Sequence, residues 1–419
     1  MPMNIPVPAA IIFCSIGLIY FYSCNNTSVK QSAETATIAD TLPKGSYAYD
    51  AAFLKRHTGE TLQLTSADGM SKVLLSAQYQ GRVMTSTAMG DSGTSFGWLN
   101  YELIAAREKR KQFNPVGGEE RFWMGPEGGQ YSIYFKKNDS FNIGHWQVPS
   151  FIDTDAWQVV KAEAGSAIFS TTANINNYSG TDFSIHIERK VSLLTKDSIE
   201  QALQVIVPAG IHFVGFETVN TISNTGTADW VKESGLLSVW LLGMFTPGPA
   251  TKVIIPFHPV PNAKQYITSD YFGNIPPERL QVTDSLIVFT CDGKYRSKIG
   301  LSPVIAKPVA GAFDFEKNVL TVVIPGVDKK AAYVNSKWEL QKEPYKGDVI
   351  NSYNDGPLAD GTQMGPFLEI ESSSPALALK KSGRAAYRQT TLHFQGDYQV
   401  LKALAKQLLG ADLDSIKNK

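Results

Sequence analysis

The chain has 419 residues, 39 basic and 39 acidic side chains, and 43% apolar residues. Zero net charge gives no support for a nucleic-acid partner, which would favour a basic face. The length suffices for a large core, and 34 glycines and 22 prolines between short apolar stretches favour strands and turns over helical bundles.

The N-terminus reads as an export signal. Residues 9–24, AAIIFCSIGLIYFYSC, are apolar and end on a small residue and a cysteine. The run is shorter than the ~20 residues of a membrane-spanning helix. Its YSC ending resembles a bacterial lipobox. We therefore expect a lipoprotein signal peptide over 1–23, lipidation of Cys24, and a polar tether over 24–46. The lipid would hold the protein at a membrane of the cell envelope, periplasmic or outer-membrane associated. Phe21 stands where leucine is usual, and no Lys or Arg precedes the run, so a plain signal peptide or an uncleaved anchor is the alternative. With Cys24 taken by the lipid, only Cys291 remains, and the mature domain can form no internal disulfide. No Cys or His cluster has zinc spacing, and no metal or other cofactor is expected.

A single domain is expected over 47–419. Its first strands are read at 62–67, 72–80 and 81–88, followed by a helix over 98–110, WLNYELIAAREKR. Further strands are read at 130–136, 166–175, 182–194, 198–207, 285–293, 319–326, 366–374 and 388–396. Many alternate apolar and polar residues, as in SIHIERKVSL, which marks sheets with one face in a core. A second helix, YQVLKALAKQLLG over 398–410, closes the chain with a terminal glycine. Strands do not alternate with helices, so a large antiparallel sandwich is favoured over a doubly wound fold.

GTSFG at 93–97 fits the G-x-S-x-G elbow that would make Ser95 a hydrolase nucleophile. That motif needs a buried strand before it and a helix after it, and the preceding AMGDS is polar. A glycine-rich loop is the favoured reading, with a serine esterase as a minor alternative. His186 and Glu188 share a strand face and read as solvated.

GGEERFWMGPEGGQ at 117–130 sets three glutamates, an arginine and a tryptophan among turn residues. Trp98, Trp123, Trp146 and Trp157 cluster around it. Aromatic rings beside carboxylates, amides and a guanidinium suit a sugar, which offers C–H patches for stacking and hydroxyls for polar partners. Asn100, Glu120, Arg121, Trp123, Glu127, Trp146 and Gln147 are the candidate binding residues. The alternative is that the tryptophans are core and Arg121 braces the loop through a glutamate.

FGWLNYELI, the 117–130 stretch with its continuation to Trp157, FTCDGKYRSKIGLSP, YVNSKWELQKEPYKGDVINSYNDGP and MGPFLEIESSSPALALKKSGRAAYRQTTLHFQGD together resemble a family of secreted bacterial proteins grouped with the galactose-mutarotase-like fold. The resemblance spans nearly all of the mature chain. It implies an all-β, galactose-mutarotase-like antiparallel β-supersandwich with a C-terminal helix, and a carbohydrate groove on one concave sheet. In aldose epimerases of that fold a late-strand glutamate is the base and a histidine in a His-x-Tyr-Phe-Asn motif is the acid. Glu369 and Glu371 stand where the base is expected, and the histidine motif is absent.

On a strand, Glu369 and Glu371 project to one face with Ile370 on the other. Close carboxylates repel, so one should have a raised pKa and suit base chemistry near neutral pH. His393, on the strand that follows, or His145, beside Trp146, would be the acid. The alternative is that both glutamates bind Arg384 or Arg388 across the sheet. The expected function is carbohydrate binding with epimerase-like acid/base chemistry. A non-catalytic glycan-binding or structural lipoprotein is the rival.

Overall fold

A computed structural model describes residues 41–417. The signal segment 1–23, Cys24 and the tether up to residue 40 lie outside the described residues. The chain divides after Thr41, and the unit described below begins at Leu42.

Three antiparallel sheets make up this unit. A ten-stranded sheet runs, in spatial order, Leu280–Val282, Leu286–Thr290, Lys252–Pro256, Ala310–Asp314, Val319–Pro325, Arg384–Gln395, His212–Asn224, Asp182–Leu193, Ser166–Asn176 and Gln158–Glu163. A six-stranded sheet runs Ile267–Thr268, Ser297–Leu301, Ile350–Asn354, Leu368–Ser373, Ser238–Phe245 and Arg121–Gly125. A small sheet is formed by Leu62–Thr65, Lys72–Ser76 and Arg82–Thr87. The expected all-β antiparallel sandwich with a closing helix is what these sheets form.

Side-chain alternation explains how the two large sheets differ. Asp182–Leu193 and His212–Asn224 alternate buried and more exposed residues, so one face of the larger sheet meets the core and the other meets water. Apart from its edge strand Ile267–Thr268, the six-stranded sheet is largely buried on both faces, and Ser238–Phe245 and Ile350–Asn354 are buried at every position. Its inner face sends Ile299, Ile350 and Ile370 against Val253, Phe289 and Val323 of the larger sheet. Its outer face lies under loops, and that is where polar groups gather.

The closing helix is Tyr398–Leu409. Asp397 caps it by accepting from the backbone N–H groups of Gln399 and Val400, and Gly410 ends it in the left-handed conformation. Leu401, Leu404 and Leu409 pack on Ile254, Leu320 and Leu392, outside the larger sheet.

Three expectations fail on local chemistry. Residues 198–207 are not a strand, because Thr195 caps a helix over Lys196–Leu203 by accepting from the Ser198 N–H, and only Ile199 turns fully inward. Residues 130–136 form turns rather than a strand, held where the Tyr134 hydroxyl donates to the Met124 carbonyl. The helix expected over 98–110 covers only Tyr101–Ala106. A helix over Tyr47–Thr58 escaped the sequence reading; it buries Tyr47, Asp50 and Leu54 at helical spacing.

Candidate functional site

The outer face of the six-stranded sheet is laid out by strand register. Glu371 lies opposite Asn351 on one side and Leu242 on the other, and Leu242 lies opposite Arg121. One row over, Glu369 lies between Tyr353 and Met244, and Tyr353 faces Lys298. Trp240 and Trp123 form the next pair. Opposed residues in an antiparallel sheet share a face, so these side chains cover one surface.

The charges on that surface are paired unevenly. Lys298 Nζ and Trp240 Nε1 both donate to Glu371 Oε2, each at 2.9 Å. The other carboxylate oxygen of Glu371 is buried without a hydrogen-bond partner. Arg121 Nη2 donates to Glu369 Oε1 at 3.0 Å, while its Nε and Nη1 are buried and unpartnered. The guanidinium carbon sits 4.2 Å from the Trp123 ring centroid, a cation–π contact. Glu127 follows the Arg121–Gly125 strand by two residues. The Tyr271 hydroxyl donates to Asp348 at 2.6 Å, and Lys298 Nζ is 5.7 Å from the Tyr271 ring centroid.

Burial dominates the titration of this cluster. It pushes the Glu369 carboxyl up to about 8 against the pull of Arg121, with Glu371 pushing the same way. It pushes Glu127 up to about 7 against the pull of Lys298. Burial works against the charge of Lys298, yet Glu371, Glu127 and Glu369 hold its pKa above the ordinary value. Glu369 therefore keeps its proton at neutral pH and Glu127 titrates close to it, beside a cation bonded to Glu371.

The glycines of the 117–130 stretch admit a second loop. A Cβ on Gly128 would lie 2.3 Å from the Lys337 carbonyl oxygen, and one on Gly129 2.6 Å from the Gln341 amide. Gln130 and Gln341 clasp the loops together, since Gln130 Nε2 donates to the Gln341 carbonyl and the Gln341 N–H donates to Gln130 Oε1. Trp146 stacks on Trp338 of that second loop at 5.9 Å. Glycine at 128 and 129 thus lets the 335–341 segment close over Glu127.

Of the residues expected at the site, Glu369, Glu371, Arg121, Trp123 and Glu127 gather there, with Trp146 stacked alongside. His393 does not. Its strand pairs with Val319–Pro325 and His212–Asn224 in the larger sheet, so it occupies the inter-sheet core. There Nε2 lies 2.8 Å from Glu119, Nδ1 lies 2.9 Å from the Thr321 hydroxyl, and the ring stacks on Phe96. His145 is exposed and bonds the Ser140 carbonyl. Gln147 is exposed as well. Asn100 caps the Tyr101–Ala106 helix through the Leu103 N–H. Glu120 is enclosed in the core, accepting from Arg189 at 2.9 Å and from Thr218 and Gln389 at 2.7 Å.

Arg388 pairs with Glu217 on the exposed side of the larger sheet, so the cations that meet the late glutamates are Arg121 and Lys298. Ser95 has no base. Its hydroxyl bonds Thr85, the histidine nearest in the core has both nitrogens engaged, and no helix begins until Tyr101.

Lys298, Trp240, Tyr271 and Asp348 were not anticipated. Lys298 stands in SKIGL, where alternation alone reads as a solvated charge. Trp240 stands in SVWLLGMF, an apolar run with no signal to mark its ring nitrogen. Among the described residues, no group of three or more His, Cys, Asp or Glu side chains is placed to hold a metal ion.

Fold and site define an antiparallel β-sandwich protein with a buried cluster of carboxylates and cations on the outer face of its smaller sheet. The chain belongs to DUF6786, a family of unknown function, whose model matches residues 45–419. No curated protein matches the sequence. Among solved structures, the chain is similar to a putative aldose 1-epimerase from Escherichia coli K12, at TM-score 0.47 and 11% identity over 81% of this chain and 99% of that one. It is also similar to a galactose mutarotase related enzyme from Lactobacillus acidophilus, at TM-score 0.45 and 11% identity over 80% and 97% of the two chains. A TPR-domain containing protein from Parabacteroides distasonis matches at TM-score 0.43 and 12% identity, over 78% of this chain and 45% of that one.

Proposed function

We propose that the protein binds a saccharide against the outer face of the six-stranded sheet and acts on it by acid/base chemistry. The observation that carries the reading is the unpartnered Oε1 of Glu371. Buried polar atoms are almost always satisfied, so an orphaned carboxylate oxygen asks for a ligand or a proton. Its sister oxygen is fixed by Lys298 and Trp240, which leaves Oε1 to accept a proton from a sugar hydroxyl or an adjacent carbon. Glu369 supports the complementary role. Its carboxyl, pushed up to about 8, carries a proton at neutral pH and can donate it. Two carboxyl groups with different environments on one face provide an acid and a base.

Anomer exchange of free aldoses followed by NMR tests the reading. Glu371→Gln and Glu369→Gln should each slow exchange by about 10²–10⁴-fold, the usual contribution of a positioned acid or base. Wild-type exchange no faster than buffer excludes mutarotation for the sugars tried. Activity unchanged in both variants makes the carboxylates structural.

Saccharide binding without chemistry is the second reading, and the full burial of Glu371 favours it. A thermal shift with sugars that undergo no exchange would select it. The apolar run ending at Cys24 supports a site of action in the cell envelope.

A further inference from the structure

Beside the carboxylate cluster a cleft of about 460 Å³ opens to solvent. Clefts that hold small-molecule ligands usually measure between about 300 and 1,000 Å³. The cleft reaches inward to Tyr271 and Asp348. Tyr271 also accepts a hydrogen bond from Asn351 Nδ2 at 3.4 Å, and Asn351 is the register neighbour of Glu371. Lys298, bonded to Glu371, lies against the same tyrosine ring. Tyr271, with Lys298 or Asn351 behind it, therefore links the cleft wall to Glu371.

The walls carry both signs of charge. Lys337, Lys342 and Lys346 line it together with Glu339, Glu343 and Asp348, and Lys346 pairs with Glu343, so neither sign of charge dominates the wall. Leu340, 68% exposed, stands among them as an apolar contact. Balanced polar walls with an exposed apolar patch suit a chain of hydroxyls and C–H faces better than a charged ligand.

We infer that this cleft is a subsite for the outer units of a neutral oligosaccharide whose terminal unit lies against the six-stranded sheet. The inference rests on the proposed saccharide reading. It makes the ligand a glycan chain end rather than a free monosaccharide.

Calorimetric titration of the full chain with neutral gluco-, galacto- and xylo-oligosaccharides, as mono-, di- and trisaccharides, tests it. Affinity should rise at least about tenfold from mono- to trisaccharide, about 1.4 kcal/mol. The double variant Leu340→Ser, Lys342→Glu, altered only at the cleft wall, should lose that gain with length. Equal affinity at all lengths in the wild type overturns the subsite and leaves the saccharide reading standing. A trimer of uronic acids binding more tightly than any neutral trimer overturns its neutral character. No binding of any saccharide removes both proposals together.

Discussion

Glu127 links the site to stability, and Glu127→Gln measures the link. Burial raises its carboxyl from 4.5 to about 7. Below 4.5 the folded and unfolded chains both hold the proton, and the side chain is neutral in each. Between 4.5 and about 7 the unfolded chain releases a proton that the folded chain keeps. Stability therefore falls as pH rises through this window, by about 1.4 kcal/mol per pH unit and about 3 kcal/mol in all. Glutamine is nearly isosteric with the protonated acid and does not titrate. The variant should match wild type at about pH 4 and exceed it by about 3 kcal/mol at about pH 8, a gain read from urea unfolding at both values. A gain independent of pH would refute the argument. So would a loss at high pH, which would mean that Lys298 holds Glu127 as an anion in the folded state. Stabilisation gained by removing an acid whose charged form the fold disfavours is the pattern expected where a site is kept at the expense of the fold.

Arg189→Leu should destabilise the protein by about 3–5 kcal/mol, because it strands the wholly buried Glu120 without its cation; chemical denaturation checks it, and a cost under about 1 kcal/mol would show that the pair does little to hold the fold. Gly128→Ala should cost about 1–3 kcal/mol by driving a methyl group into the Lys337 carbonyl, which must shift the 335–341 segment; hydrogen exchange should report faster opening of that segment, and unchanged protection would count against its close packing. Cys24→Ala should abolish acyl labelling and membrane fractionation, and a variant that stays on the membrane is anchored by something other than a lipid on this cysteine.

The sequence by itself determined the strands with strong alternation, such as Asp182–Leu193, and the closing helix with its Gly410 stop. These depend on neighbours within a few residues, which is where periodicity and capping act. It also determined that Glu369 and Glu371 share a face, since that follows from strand geometry alone. Tertiary structure decided which face. Glu119, Glu120 and Arg121 are consecutive, yet Glu119 and Glu120 turn into the core against His393 and Arg189 while Arg121 turns out to Glu369. His393 follows the Glu371 strand in the chain but pairs in the other sheet, so sequence proximity misplaces it. Lys298 reaches Glu371 across one intervening strand, a contact between residues 73 positions apart. Pairing between distant strands is fixed by the packing of whole sheets, and no local pattern in the chain encodes it.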